Sequence, residues 1–247
     1  MLNPKLSIVI PAYYEEENLK KGSLQEVWDY LKKQKFESEI IIVDDGSTDQ
    51  TTSIVEEQIK DKKNFRLIKN PHGGKAVTVM SGLIKSSGSI ALFTDMDQAT
   101  PIMEVEKLFP KFEEGFDVVI GSRRGRSGAP LIRKLAAWFF ATFRNLILGL
   151  PFKDTQCGFK AFDKQAIDTI FPELLKSWQK HKTKGSAVNA GFDVEMLFIA
   201  KKRALKICEV EVSWHHVGTE RVQIIPDAIE ALRDMIRIRI NDFKGKY

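Results

Sequence analysis

Cysteine is scarce in this chain. Two residues among 247, Cys157 and Cys208, lie far apart. That excludes a disulfide framework and fits reduced thiols in a cytosolic compartment. No basic-then-apolar segment opens the chain as a secretory signal would. No run reaches the roughly 20 apolar residues that span a bilayer without charges. The stretch 131–150 comes nearest, and Arg133, Lys134 and Arg144 interrupt it. A Walker A loop is missing, and so is the GxGxxG of a nicotinamide-binding fold. Near His72 no second His or Cys completes a metal set, and the adjacent His215 and His216 would point to opposite faces of a strand. There is no internal repeat or low-complexity tract.

Present instead is an ordinary globular balance, 43% hydrophobic and 29% charged, in a chain long enough to bury a full core. The formal net charge is +5. An excess of that sign serves nucleic acid, anionic lipid or phosphorylated substrates. The basic residues do not gather in one tail, so a nucleic-acid arm is not expected.

The stretch 89–100, SIALFTDMDQAT, organises the reading. An apolar run, Ile90 to Phe93, leads into Asp95-Met96-Asp97, as a buried strand ends at a loop. Two carboxylates separated by one residue can share a hard cation such as Mg²⁺ or Mn²⁺, which keeps part of its shell for phosphate oxygens. The plain alternative is an acidic loop at a strand end.

Upstream, strands are expected at 6–10, 39–43 and 65–69, each followed by a polar loop and a helix. After the first come Pro11, Tyr13 and Glu15. Tyr13 can stack on a base, and Glu15 can accept from a base or ribose; both equally suit a helix start. After the second comes Asp44-Asp45-Gly46-Ser47-Thr48. Its carboxylates can accept from a base or ribose, while Ser47 or Thr48 can cap the helix at 50–60. After the third, Gly73-Gly74-Lys75 opens a helix and can hold phosphate through backbone N–H groups and a point charge. Strand and helix alternate through the first hundred residues, the pattern of a parallel α/β sheet.

Further on, a strand at 116–120 ends in Gly121-Ser122-Arg123-Arg124-Gly125-Arg126, whose arginines can clamp phosphates or form a solvated basic loop. Trp138, Phe139, Phe140 and Phe143 beside basic residues suit an in-plane interfacial helix or an ordinary buried one. Residues 154–162 form a polar–aromatic loop and strand. A helix is expected over 171–184. Gly191-Phe192-Asp193-Val194-Glu195 opens another helix, and a strand follows at 204–212. At 225–240 Ile225, Ile229, Leu232, Ile236 and Ile240 share one helical side ringed by Arg233, Arg237 and Arg239. That helix suits an anionic membrane surface or packs on the domain.

Together the stretches IPAYYEEENL (10–19), VDDGSTD (43–49), GKAVTVMSGL (74–83), FTDMDQAT (93–100), VIGSR (119–123), DTQCGFKAF (154–162), GFDVE (191–195), EVSW (211–214) and RDMIRIRI (233–240) resemble family-2 glycosyltransferases. Within them they resemble the dolichyl- or polyprenyl-phosphate glucose and mannose synthases. The likeness spans nearly the whole chain, and DMDQAT and RDMIRIRI lean toward the glucosyl type.

The resemblance implies a GT-A fold, a Rossmann-like, mostly parallel sheet flanked by helices. It implies one catalytic domain with a nucleotide-sugar half (1–125), an acceptor half (126–224) and an amphipathic C-terminal helix (225–247). It implies an inverting transfer of glucose or mannose from UDP-glucose or GDP-mannose to a polyprenyl or dolichyl phosphate. By position, Pro11, Tyr13, Glu15, Asp44, Asp45, Lys75, Asp95 and Met96 would hold the nucleotide sugar. Asp95 and Asp97 would hold Mg²⁺ or Mn²⁺. Asp97, Arg123 and Asp193 would act in catalysis, and Arg133, Asp154, Lys160 and Glu195 would bind the acceptor. The expected setting is cytoplasmic, peripheral at the cytoplasmic face of a membrane, with a membrane-anchored partner protein as a further option and no nucleic acid. Two other readings stand beside this one: a family-2 enzyme acting on a soluble or glycan hydroxyl, and an inert nucleotide- or membrane-binding scaffold.

Overall fold

A computed structural model describes residues 6–123, 131–179, 190–215 and 224–247, without the side chains of 131–139, 190 and 224–230. Arg124, Gly125, Arg126, His216 and the lysine-rich stretch 180–184 lie outside the described residues, as does the Arg133 side chain.

Seven strands form one sheet in the order β3-β2-β1-β4-β6-β5-β7. β1 (Leu6–Ala12), β2 (Ser38–Asp44), β3 (Phe65–Lys69) and β4 (Ile90–Thr94) run parallel, and β5 (Val118–Arg123) pairs parallel with β7 (Ile207–Val212). β6 (Phe159–Asp163) lies antiparallel between β4 and β5. The central strands read as continuous apolar runs because both sheet faces are covered. Their side chains alternate between two cores, as a period of two requires. Val9, Ile41, Val43, Ala91 and Phe93 join one core, and Ile8, Ile10, Ile40, Ile42 and Leu92 the other.

On the first face lie α4 (Lys75–Ile84), α7 (Lys164–Trp178) and α8 (Ala190–Lys202). The second carries α1 (Glu16–Lys20), α2 (Ser23–Leu31) and α3 (Thr51–Ile59). A short 3₁₀ turn (Ile102–Lys107) and α5 (Phe109–Glu113) lead from β4 to β5. α6 (Leu131–Leu148) and α9 (Ile224–Phe243) pack against each other. Among the described residues no helix is long and apolar enough to cross a membrane.

Several expectations shift, each for a local reason. β1 runs on through Pro11 to Ala12. Its pairing with β4 has already ended at Val9, so a proline is tolerated there. α3 is not capped by Ser47 or Thr48. Those hydroxyls hold Tyr14 instead, and the Asp49 carboxylate accepts from the Thr51 N–H. α7 starts seven residues before Phe171, because Asp163 caps it by accepting from the Ala166 N–H at 2.7 Å, and the helix continues past Pro172.

The register of β6 positions the site. Phe159 pairs with Thr94, the last residue of β4. The reversed strand therefore starts where its parallel neighbours end, and it delivers the loop 150–158 to the edge where 13–15, 45–50, 70–74 and 95–99 emerge. α4 is pressed on this sheet through Gly82. A Cβ there would lie 2.4 Å from Val9 Cγ1 and 2.9 Å from Val43 Cγ2. Gly82→Ala is therefore expected to destabilise the fold by roughly 1–3 kcal/mol through overpacking, read as a lower urea midpoint with an unchanged m-value.

Candidate functional site

The winding of the sheet reverses between β1 and β4. In open α/β sheets a crevice forms at such a point, outside the carboxyl ends of the strands. Lys75, the first residue of α4, reaches into it and places its Nζ 2.5 Å from Asp95 Oδ1. Burial opposes the charge of this lysine, and Asp95, Asp193 and Asp97 outweigh that opposition, so its pKa is raised. One ammonium thus sits among three carboxylates from two distant parts of the chain. Asp97 Oδ1 also accepts from the Ala99 N–H at 3.0 Å, which shapes the turn after β4. Gly158 packs against Asp95 so closely that a Cβ would overlap its Oδ2 at 2.0 Å. A side chain at 158 would force the Asp95 carboxylate aside.

The second cluster lies beside the first. Arg123, at the end of β5, donates from Nε to Asp154 Oδ2 at 2.5 Å and from its second terminal nitrogen to Oδ1 at 2.8 Å. This is a fork-to-carboxylate pair, the geometry in which arginine binds most firmly. Burial works against the Arg123 charge, but Asp154 holds its pKa above the usual value. Burial likewise disfavours the Asp154 carboxylate, and Arg123 more than offsets it, so that pKa is lowered. The Trp214 ring centroid lies 5.7 Å from the Arg123 guanidinium. Asp193, in the first turn of α8, accepts from Lys160 Nζ at 2.6 Å. Lys160 is fully buried and also donates to the Cys157 carbonyl. Asp193 adds to the field at both Lys75 and Arg123, which joins the two clusters.

The remaining expected residues fall into two groups. Pro11, Tyr13, Glu15, Asp44 and Asp45 line the β1 and β2 ends of the edge. The Tyr13 ring lies between those of Tyr14 and His72, with centroids at 4.2 and 4.5 Å. Glu15 Oε2 accepts from Asn18. Asp44 accepts from the Ser47 N–H and the Thr52 hydroxyl. Asp45, 2% exposed, accepts from the N–H groups of Gly73 and Gly74 and meets His72 Nδ1 at 2.9 Å. The glycine N–H groups that the sequence offered to a phosphate are thus turned to Asp45. They pin the loop that carries Lys75. Met96 is buried in the second core.

Glu195 stands apart from this edge. It accepts from Trp178 Nε1 at 2.9 Å and from the Tyr247 hydroxyl, and Arg237 lies 3.6 Å away, tying α7, α8 and α9 together. Sequence reasoning gave no site role to His72, Gly158, Trp214 or Glu209. Gly158 and Trp214 had a signal, since they sit inside the DTQCGFKAF and EVSW blocks.

A hard cation takes carboxylate oxygens and is commonly held by one or two of them together with phosphate. Asp95 and Asp97 supply that donor type at an exposed edge. Among the described residues no group of three His, Cys, Asp or Glu forms a closed cage.

Residues 7–171 match the family described as Glycosyl transferase family 2. A dolichyl-phosphate beta-glucosyltransferase of Dictyostelium discoideum is 32% identical over 98% of this chain and 76% of its own length. The enzyme of the same name from Saccharomyces cerevisiae is 35% identical, again over 98% and 76%. Among solved structures, mannosyl-3-phosphoglycerate synthase from Rubrobacter xylanophilus superposes with a TM-score of 0.70 at 16% identity, covering 100% of this chain and 76% of that one. That likeness speaks to the fold alone.

The Arg123–Asp154 pair sets a pH signature. The folded Asp154 carboxyl titrates below its unfolded value near ~3.9. Its contribution is therefore complete above about pH 4 and is lost as pH falls through the depressed value. Asp154→Asn is expected to cost roughly 1.5–3 kcal/mol at pH 7. Urea unfolding at a series of lower pH values should show the gap to the unsubstituted protein narrowing below about pH 4.

Proposed function

The chain belongs to glycosyl transferase family 2, and from that premise we propose that it moves a hexose, glucose first, from a nucleotide-diphosphate donor to a polyprenyl or dolichyl phosphate. The observation that carries this is the meeting of Lys75, Asp95, Asp97 and Asp193 with Arg123 at one sheet edge. Two cations there can face phosphates while carboxylates order a sugar.

The nucleophile is the lipid phosphate oxygen. A phosphate monoester loses its second proton near ~6, so it arrives largely ionised and needs no strong base. The phosphate oxygen attacks the anomeric carbon, the bond to the diphosphate breaks, and the configuration inverts. Catalysis then rests on in-line placement and on charge stabilisation of the departing diphosphate. Lys75 contributes a point charge beside the donor. Arg123, locked by Asp154, contributes a planar fork. Asp193, held by Lys160, orients the acceptor or a sugar hydroxyl. Pro11, Tyr13 and Glu15 border the base and ribose, with Asp44 and Asp45 acting through the loops they tie. Met96 supports the turn from beneath. Asp95 and Asp97 would hold a Mg²⁺ or Mn²⁺ ion, which when bound supplies Lewis-acid stabilisation to the diphosphate. The donor half is 1–125 and the acceptor half 126–224. Arg133 belongs to the acceptor half, and Glu195 braces it from behind.

The outer faces of α6 and α9 support a reading of membrane contact. Phe143 and Leu146 are exposed on α6, and Leu232, Ile236, Ile240 and Phe243 on α9, with Phe243 84% exposed. Ala231, Met235 and Ile238 of the same helix are buried, so α9 has apolar sides facing both ways. Arg233, Arg239 and Lys244 flank the outer stripe. An apolar stripe bounded by cations suits an anionic lipid surface, where a polyprenyl phosphate resides. The expected setting is peripheral, at the cytoplasmic face.

Two measurements test the proposal. Given a polyprenyl phosphate, UDP-glucose should turn over in a panel that includes GDP-mannose. Turnover like that of the unsubstituted protein by Asp97→Ala with Mn²⁺ would refute the cation assignment, and turnover with soluble hydroxyl acceptors alone would refute the lipid one. In flotation with anionic liposomes, the protein should rise at low salt and Ile236→Asp/Ile240→Asp should not. Equal recovery of both proteins would remove the α9 face from the account.

A further inference from the structure

We propose that Arg144 is a positioning residue, which fixes the segment 150–155 and through Asp154 sets the orientation of Arg123. Arg144 lies in α6 and is 1% exposed. Its described hydrogen-bond acceptors all belong to that segment. It donates to the Leu150 carbonyl at 3.3 Å, to Thr155 Oγ at 3.0 Å and to the Phe152 carbonyl. Its guanidinium also lies 5.7 Å from the Phe140 ring centroid. A buried guanidinium that holds three points of one six-residue segment works as a template for it, since the donor fork is planar and rigid.

The loop is gripped from its other side too. Glu209, on the edge strand β7, accepts from the Lys153 N–H at 2.9 Å and the Asp154 N–H at 2.7 Å. Between these grips stands Asp154, whose two oxygens take the Arg123 fork. Burial lowers the Arg144 pKa, and the charges of Glu209 and Asp154 work against that fall. Arg144 and Glu209 thus hold the same segment from two sides, and Asp154 within it holds Arg123. A lysine could supply the charge but not three fixed donors, so the role belongs to the fork and not to the charge alone.

The test has one arm that does not depend on the reaction and one that rests on the role proposed for Arg123. In protein labelled with ¹⁵N-arginine, the Arg123 Nε–H, bonded to Asp154 at 2.5 Å, is assigned by its loss in Arg123→Lys. Arg144→Gln and Arg144→Lys should shift that resonance and speed its exchange by about tenfold or more. Thr155→Val, which removes one acceptor of the Arg144 fork, should do the same more weakly, and it decides the matter if the Arg144 variants do not fold. Folded variants with an unchanged resonance and exchange rate overturn the inference.

In the activity arm, Arg144→Gln should lower kcat/KM by about 10–100-fold, the scale of a misplacement near 1 Å. It should lower it by less than about twofold in an Arg123→Ala background. Equal losses in both backgrounds overturn the inference. A shifted resonance with activity untouched upholds the inference and removes Arg123 from the proposed mechanism.

Discussion

The ammonium of Lys75 among the carboxylates of Asp95, Asp97 and Asp193 is the interaction the rest of the edge depends on. Like charges this close raise one another's energy, and a shared cation is what makes their gathering tolerable. The surroundings hold both partners still. Asp45 fixes the turn ahead of Lys75 through two glycine N–H groups. Gly158 leaves room for Asp95. Lys160 holds Asp193 from inside the sheet, where a lone ammonium would be costly without that carboxylate and the Cys157 carbonyl. A phosphate-bearing ligand entering this edge meets charges whose positions are already set, the condition under which electrostatic stabilisation is strongest.

One reversed strand makes the arrangement possible. A purely parallel sheet would send the start of its sixth strand to the far edge, away from Asp95. Because β6 is antiparallel, its first residue pairs with the last of β4, and the loop before it falls among the loops that follow the other strands. Asp154 and Gly158 reach the crevice by that reversal. The strands on both sides are apolar and buried, so the register cannot slip without turning core residues outward.

Much of this was legible in the sequence, and for physical reasons. Apolar runs that stop at acids or glycines mark strands that end at loops, so Asp95, Asp97 and Lys75 could be placed at one sheet edge before any coordinates. The resemblance pointed to the same residues. What stayed hidden depends on pairing in space. Nothing local to Asp45 says that its oxygens take Gly73 and Gly74 rather than leaving those N–H groups for a phosphate. Nothing in FDVE separates Asp193, which faces the crevice, from Glu195, which serves Trp178 and Tyr247; two residues along a helix is enough to turn a side chain to another side. Asp163 is a residue type that caps helices, and it starts α7 seven residues before the expected Phe171.

Buried cations were the hardest to interpret from composition, because hydropathy treats each as an interruption. Arg144 within an apolar stretch argues against a spanning helix, and among the described residues no helix is long and apolar enough to cross a membrane. The same residue has a second meaning that no window of hydropathy carries. A charge is retained in a core only where fixed acceptors replace its water. Its presence among Phe140, Leu148 and Leu150 therefore reports that carbonyls converge on it. Lys160 makes the same statement within β6, a strand otherwise apolar through Phe162. All the described hydrogen-bond acceptors of Arg144, and one of the two of Lys160, belong to the loop 150–158, so two cations on different elements reach one segment, and that segment carries the partner of Arg123. The misfit of charge and hydropathy thus marks where the scaffold holds its working loop, and the exposed apolar stripe of α9 is the same kind of misfit turned toward a surface.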